Sequence, residues 1–281
     1  MKVAVIGCNG MLGTDLVAAC DAAGIETLGL DLPEFDITKF DSVRVSLPTV
    51  DSVVNCAAFT RVDDAESQRE QAYAVNAEGA GNVARICSTR NIGLVQISTD
   101  YVFDGRKGSA YSEDDKVNPL SIYGASKLAG EELIRGAGGR SLIVRTQSLF
   151  GVRGANFVRT IAQRLTRSDE PLRVVNDQFS SPTYTRHLAG AIVRLLQSER
   201  EGIVNVVASG HCSWFEFAQA IARRVKPGAQ INAVGSAEYP RPALRPAYSV
   251  LDTTRYREWT GSALPSWQQG LDEYLAEEKL A

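Results

Sequence analysis

A short apolar run, Lys2-Val3-Ala4-Val5-Ile6, leads directly into Gly7-Cys8-Asn9-Gly10-Met11-Leu12-Gly13, and a helical pattern follows from Met11 to Ala23. Strand, three-glycine turn and helix in that order constrain this chain more than any other feature. Glycines there permit a tight turn, a close approach of backbone to phosphate and close helix packing. The start of the helix then offers free N–H groups to an anion. The loop residues Gly7, Gly10, Met11, Leu12 and Gly13 are therefore candidates for a dinucleotide pyrophosphate. The spacing is Gly-x-x-Gly-x-x-Gly. A plain strand–helix turn is the alternative, and the position directly after an apolar strand favours the phosphate site.

The same rhythm continues downstream. Apolar runs at Glu26–Asp31, Ser52–Ala57, Ile92–Thr99, Ser141–Phe150 and Ile203–Ala208 lack strict alternation, as expected of parallel strands covered on both faces. Helical segments lie between them, including a long one at Glu66–Arg90 with a break expected near Asn76-Ala77-Glu78. Repeated crossovers predict an α/β fold, a doubly wound parallel sheet of the Rossmann type. After Phe150 the pattern loosens, which predicts a smaller substrate-binding lobe made of non-contiguous pieces. Residues 1–149 with about 176–208 are assigned to the nucleotide-binding domain, and 150–175 with about 209–281 to the lobe.

A chain of 281 residues buries enough surface to fold without a staple. Its net charge of −3 argues against a nucleic-acid or anionic membrane surface. No apolar run approaches the roughly 20 residues that span a bilayer. Five widely spaced cysteines and two distant histidines predict neither a disulfide framework nor a metal site, and point to a reduced, cytoplasmic setting.

Asp31 ends the second strand, where an acid bonds adenosine ribose hydroxyls and repels a 2′-phosphate; NADH is thus expected, with NADPH left open. The other reading of Asp31 is a solvated strand-end acid. Asp36 and Ile37 are placed beside the adenine, and Cys56, Ala57 and Ala58 against the cofactor at the end of strand three. Tyr123 and Lys127, spaced i and i+4, share one helix face, with Ile122, Ala125, Ala129 and Leu133 expected as the buried stripe. A lysine charge about 4 Å away would lower the phenol pKa by ~2–3 units. The phenol would then serve as a proton donor. Ser98 and Thr99 end the fourth strand, where Thr99 can hydrogen-bond a substrate carbonyl. Tyr101 and Phe103 stand either against the substrate or in the core. Arg145, Arg241 and Arg245 are anion clamps or solvated charges, with Arg245-Pro246 the best placed.

The glycine loop, Ser98-Thr99-Asp100 and Tyr123-x-x-x-Lys127 resemble an extended short-chain dehydrogenase/reductase, for which a seven-stranded sheet is implied. Within that superfamily, NCAAFTRVDDAE (55–66), ISTDYVFDG (97–105), PLSIYGASKLAGE (119–131), GANF (154–157), VNDQFSSPT (175–183) and RPAYSVLD (245–252) are similar to the dTDP-4-dehydrorhamnose reductase family. The resemblance implies reduction of the 4-keto group of a dTDP-4-keto-6-deoxy-sugar, giving dTDP-L-rhamnose. It implies Tyr123 as the acid, Lys127 as its partner on the cofactor ribose, and Thr99 as the third member. It places Asp100, Tyr101 and Asn156 near the sugar, and Gln178 and Arg245 at the diphosphate. The family leaves a homodimer open. Some members use magnesium bound by glutamates, but Thr14-Asp15 stands in helix one here and no metal is expected.

One departure concerns the stretch after strand five. The family reads Arg-Thr-Ser-Trp-x-Phe/Tyr-Gly, whereas this chain has Arg145-Thr146-Gln147-Ser148-Leu149-Phe150-Gly151. Serine thus replaces an aromatic plate worth ~0.5–1.5 kcal/mol beyond its area. The identity of the sugar and the stereochemistry stay open. So do two other readings: a related nucleotide-sugar reductase, epimerase or dehydratase, and a non-catalytic subunit resembling the β subunit of methionine adenosyltransferase. Dehydratases carry Asp-Glu after the threonine, and here Asp100-Tyr101 follows.

Overall fold

The computed structural model describes residues 1–280. Six strands, β1 (Lys2–Ile6), β2 (Glu26–Leu30), β3 (Ser52–Asn55), β4 (Gly93–Thr99), β5 (Ser141–Thr146) and β6 (Gly202–Asn205), form one parallel sheet in the order β6-β5-β4-β3-β1-β2. Alternate residues feed two cores. Val3, Val5 and Val54 pack with Leu16 of α1 (Met11–Ala22) and with the later helix Thr185–Ser198. Ala4, Ile6 and Val53 pack on the opposite face with Val83 and Ala84 of α2 (Ala80–Thr89) and Ile134 of α3 (Ile122–Ala137). Both faces of β1, β3, β4 and β5 are dry, so these strands read as apolar runs, whereas the edge strand β2 stays partly exposed. Each fully buried Val or Leu contributes roughly 1.5–3 kcal/mol to this packing. The sheet is the doubly wound Rossmann arrangement, and its order reverses between β1 and β3. Ligands bind at such a reversal, outside the carboxyl ends of the strands.

The sheet has six strands where the resemblance implied seven. Its β6 edge is closed by side chains instead. Arg255 donates to the Ile203 carbonyl at 2.9 Å, and Glu113 accepts the Asn205 N–H at 2.8 Å. These contacts use backbone groups that a seventh strand would need.

The long helical segment does not break near Asn76. It widens there into a π-helical turn at Ala74–Gly79 before α2. Buried Asn76 accepts the Phe59 N–H at 2.8 Å and donates to the Phe59 carbonyl at 3.0 Å and to Ser126 of α3 at 3.0 Å. The widened turn thus ties the loop after β3 to the helix carrying Tyr123.

A third apolar cluster gathers Phe150, Tyr184 and the helices α4 (Phe157–Arg167), α6 (Trp214–Val225) and α7 (Trp267–Glu277), with α5 denoting Thr185–Ser198. The Phe150 ring lies 5.6 Å from each of Tyr184, Phe217 and Tyr274. Among the described residues, no helix is long and apolar enough to cross a membrane.

Candidate active site

The glycine loop sits at the reversal between β1 and β3. Gly7 has φ +77°, which favours glycine, and a Cβ there would lie 2.9 Å from the Ala57 nitrogen. A Cβ on Gly13 would lie only 2.0 Å from the Gly7 carbonyl oxygen, so α1 reaches the turn only because position 13 has no side chain. The first turn of α1 has no capping side chain and no acid, leaving its N–H groups for an anion. The Asp31 carboxylate accepts the Asn9 N–H at 2.8 Å, joining the end of β2 to the loop. Cys56, Ala57 and Ala58 follow β3 as partly exposed residues on the same side.

Three residues assigned to the cofactor have their side chains elsewhere. Leu12 is buried in the core against α5 and can offer only its backbone. Ile37 is buried beside Gly79, where a Cβ would meet it at 2.8 Å. Ser98 donates to Glu131 at 2.6 Å. Each is used by the apolar core or by a buried acid. Asp36 is held by the Thr38 N–H at 3.0 Å and the Thr38 hydroxyl at 2.7 Å.

Helix α3 begins at Ser121, whose hydroxyl accepts the Gly124 N–H at 3.2 Å. A Cβ on Gly124 would lie 2.2 Å from the Tyr101 carbonyl, so this glycine lets α3 press against the turn after β4. The buried face differs from the expected stripe. Leu133 is exposed, and the face turned to the protein carries Gly124, Ser126, Lys127, Gly130, Glu131 and Ile134. Tyr123, Lys127 and Glu131 recur every four residues along it. Buried polar side chains, together with Ile134, anchor this helix.

Lys127 donates to the Ile97 carbonyl of β4 at 2.7 Å. Burial drives its pKa down to about 8, against the raising influence of Glu131 and Cys56. Burial pushes the Tyr123 phenol up to about 12, while the Thr99 hydroxyl beside it pulls the other way. The expected lowering of this phenol by Lys127 is therefore overturned: burial, helped by the Asp100 charge, raises it, while the Lys127 ammonium donates to Ile97.

Thr99 is buried, donates to Asp100 at 3.0 Å and accepts the Tyr101 N–H at 3.2 Å. Burial raises the Asp100 carboxyl to about 6, opposed by hydrogen bonds from Ser249, Thr99 and Gln147. The Tyr101 ring stands edge-on to Tyr123, 5.5 Å between centroids. Thr99, Asp100, Tyr101, Tyr123 and Lys127 thus form one cluster at the carboxyl end of β4.

Other assigned residues are placed differently. Phe103 is wholly buried, stacked 4.3 Å from Tyr111 with the Arg145 guanidinium over its ring, so it is a core aromatic and not a substrate wall. Arg145 is likewise no anion clamp; its fork holds Glu131 at 3.0 and 2.7 Å in the interior. Asn156 caps α4, accepting the Arg159 N–H at 2.9 Å and donating to the Gly151 carbonyl at 2.8 Å. Gln178 donates to Ser236 at 2.8 Å. Arg245 grips Asp63 with two bonds of 3.0 Å, and Arg241 approaches the same carboxylate at 3.7 Å. Ser148, standing where the family has tryptophan, takes φ +47° and bonds Ser180 through hydroxyls 2.8 Å apart.

Sequence reasoning missed Glu131, Gln147, Ser249 and Asp63. Glu131 had a readable signal, since it extends the Tyr123–Lys127 spacing by one more turn. Gln147 lay in the stretch that departs from the family pattern.

The RmlD substrate binding domain family matches residues 1–280. The chain belongs to this family. It is 43% identical to the spore coat polysaccharide biosynthesis protein SpsK of Bacillus subtilis, over 100% of this chain and 99% of that protein. It is 38% identical to a dTDP-4-dehydrorhamnose reductase of Mycolicibacterium smegmatis, over 98% of this chain and 85% of the other. Among solved structures, the dTDP-4-dehydrorhamnose reductase of Bacillus anthracis in complex with NADP superposes with a TM-score of 0.94. The identity is 36%, over 98% of this chain and 99% of that one.

Proposed function

We propose that this chain is a nicotinamide-dependent reductase of the 4-keto group of a dTDP-4-keto-6-deoxy-sugar, converting dTDP-4-dehydrorhamnose to dTDP-L-rhamnose. The observation that carries this reading is the Thr99–Tyr123–Lys127 cluster at the end of β4, beside a glycine cradle at the β1/β3 reversal, in a member of the RmlD family. The cradle fits a dinucleotide: the room left at Gly7 and Gly13 is what a Cβ would fill, and the first turn of α1 is uncapped. When bound, the reduced nicotinamide supplies hydride.

The residues supply the rest. Tyr123 gives its phenolic proton to the oxygen of the 4-keto group as negative charge builds there. Its raised pKa keeps that proton in place until the carbonyl demands it. Thr99 orients the same oxygen. Lys127, fixed on the Ile97 carbonyl, supplies positive charge in a site dry enough to make it count. Arg245 and Arg241, gathered at Asp63, face the diphosphate, whose binding energy positions the sugar. The lobe built on the Phe150 core serves as the substrate side of the cleft. A reducing, cytoplasmic setting is part of the same proposal, and the chain's five cysteines, all free thiols, accord with it.

The test is incubation with dTDP-4-dehydrorhamnose and NADH or NADPH, following cofactor absorbance and product mass. A gain of two hydrogens supports reduction, whereas loss of water or an unchanged mass indicates a dehydratase or an epimerase.

Three expected results follow from the same geometry. The Asp31 carboxylate at the ribose end repels a 2′-phosphate, so kcat/KM is expected to be higher with NADH than with NADPH; a strong NADPH preference contradicts this. Gly13→Ala forces a clash with the Gly7 carbonyl that costs about 1–3 kcal/mol. Fluorescence titration should then show NADH binding weakened by about tenfold or more, and wild-type affinity would contradict the cradle. Lys127 is charged below its pKa of about 8 and neutral above it. Turnover should therefore fall as pH rises through about 8, and a Lys127→Arg variant should carry that limb to higher pH.

A further inference from the structure

Thr99, on which the proposed reaction depends for orienting the carbonyl, does not point its proton into the cleft. A threonine hydroxyl has one proton to give. Here that proton goes to Asp100 Oδ1 at 3.0 Å, while the oxygen accepts the Tyr101 N–H at 3.2 Å. The other carboxylate oxygen, Asp100 Oδ2, accepts from Gln147 Nε2 at 3.2 Å. Gln147 itself has a fixed orientation. Its Oε1 accepts the Leu251 N–H at 3.3 Å, and its Nε2 also donates to the Ser249 carbonyl at 3.1 Å. A flipped amide would set oxygen against the Ser249 carbonyl and the Asp100 carboxylate, and NH₂ against the Leu251 N–H. Both Gln147 and Asp100 are 2% exposed, so water cannot replace these bonds.

We propose that Asp100, clamped by Gln147, is a positioning residue that sets which way the Thr99 hydroxyl donates: toward Asp100 while that carboxylate is ionised, and toward the substrate's carbonyl oxygen once it is protonated. The inference rests on the reductase reading above. A protonated Asp100 no longer needs the Thr99 proton and can donate to Thr99 instead. Thr99 then adds a hydrogen bond to the oxygen on which charge develops, alongside that from Tyr123. No bond other than these hydrogen bonds changes.

The transition falls in an accessible range, because burial raises Asp100 to about 6. Its neutral partners are Thr99, Gln147 and Ser249. The titratable groups facing it are the phenols of Tyr101, on the turn after β4, and Tyr123, on α3. The Arg245 charge acts on Tyr101, but that guanidinium is paired with Asp63. The Gln147 hydrogen bond lowers the Asp100 pKa, so its loss should raise it.

The test is a profile of kcat from about pH 5 to 9 with dTDP-4-dehydrorhamnose and NADH, for wild type, Asp100→Asn and Gln147→Leu. Wild-type kcat should fall about tenfold as pH rises through about 6, the size of one hydrogen bond to a developing charge, ahead of the separate fall near 8. Asp100→Asn should lack the first step and keep the second. Gln147→Leu should move the first step to higher pH. A purely structural role for either residue would scale the whole profile without moving a step. A wild-type first step retained in Asp100→Asn overturns the inference alone, and an unmoved step in Gln147→Leu does the same. Should Gln147→Leu fail to fold, Asp100→Asn decides by itself. No reduction by wild type at any pH overturns the reductase reading and this inference with it.

Discussion

Tyr123→Phe is expected to lower kcat by about 100-fold or more, the usual scale for removing a general acid. The ring remains, and with it the edge contact to Tyr101 at 5.5 Å, so the fold and KM should change little. The loss falls on the transition state alone, where an oxyanion would form with no proton donor. Steady-state kinetics with each cofactor, together with a melting curve, checks both halves. A variant that turns over like wild type removes Tyr123 from the chemistry. A variant that loses kcat and stability together indicates a packing role.

Glu131→Ala is expected to cost about 3–5 kcal/mol of stability, because it leaves the Arg145 guanidinium charged in the interior without its partner. The same carboxylate also takes the Ser98 hydroxyl, so an unsatisfied donor on β4 adds to the loss. The urea midpoint should drop accordingly. Replacing both partners, Glu131→Leu with Arg145→Met, should recover much of the loss, since two apolar groups leave no buried charge. If Glu131→Ala unfolds at the wild-type midpoint, the pair does not anchor α3.

These two residues also mark what the sequence could and could not disclose. The central strands were legible because each is buried on both faces and therefore reads as an apolar run; Val3, Ala4 and Val5 show it most plainly, with no exposure on either side of the sheet. The glycine cradle was legible because its chemistry is local, held within seven consecutive residues. Tyr123 and Lys127 were legible from their spacing. Their electrostatics were not. Whether a phenol rises or falls depends on how dry its surroundings are, and around Tyr123 dryness comes from Phe59, Ala65, Ala72 and Tyr101, all distant in the chain. Arg245 and Asp63 meet across a separation of 182 residues, and Gln147 and Ser249 across 102, distances over which no periodicity carries a signal. Phe103 was ambiguous for a related reason. Asp100–Val102 forms a single 3₁₀ turn, which sends Tyr101 toward Tyr123 and Phe103 into the core although they are only two residues apart. The stripe expected along α3 failed because this helix buries the polar side chains of Lys127 and Glu131, which apolar periodicity cannot reveal.

The measurement that tests the central claim most directly follows deuterium from C4 of a labelled reduced nicotinamide into the sugar. The protein is incubated with dTDP-4-dehydrorhamnose and the labelled cofactor, and the product is examined by NMR. A single deuterium on C4 of dTDP-L-rhamnose, formed at a rate that collapses in Tyr123→Phe, is the predicted result. Cofactor left unoxidised, or deuterium appearing anywhere but C4, would contradict it.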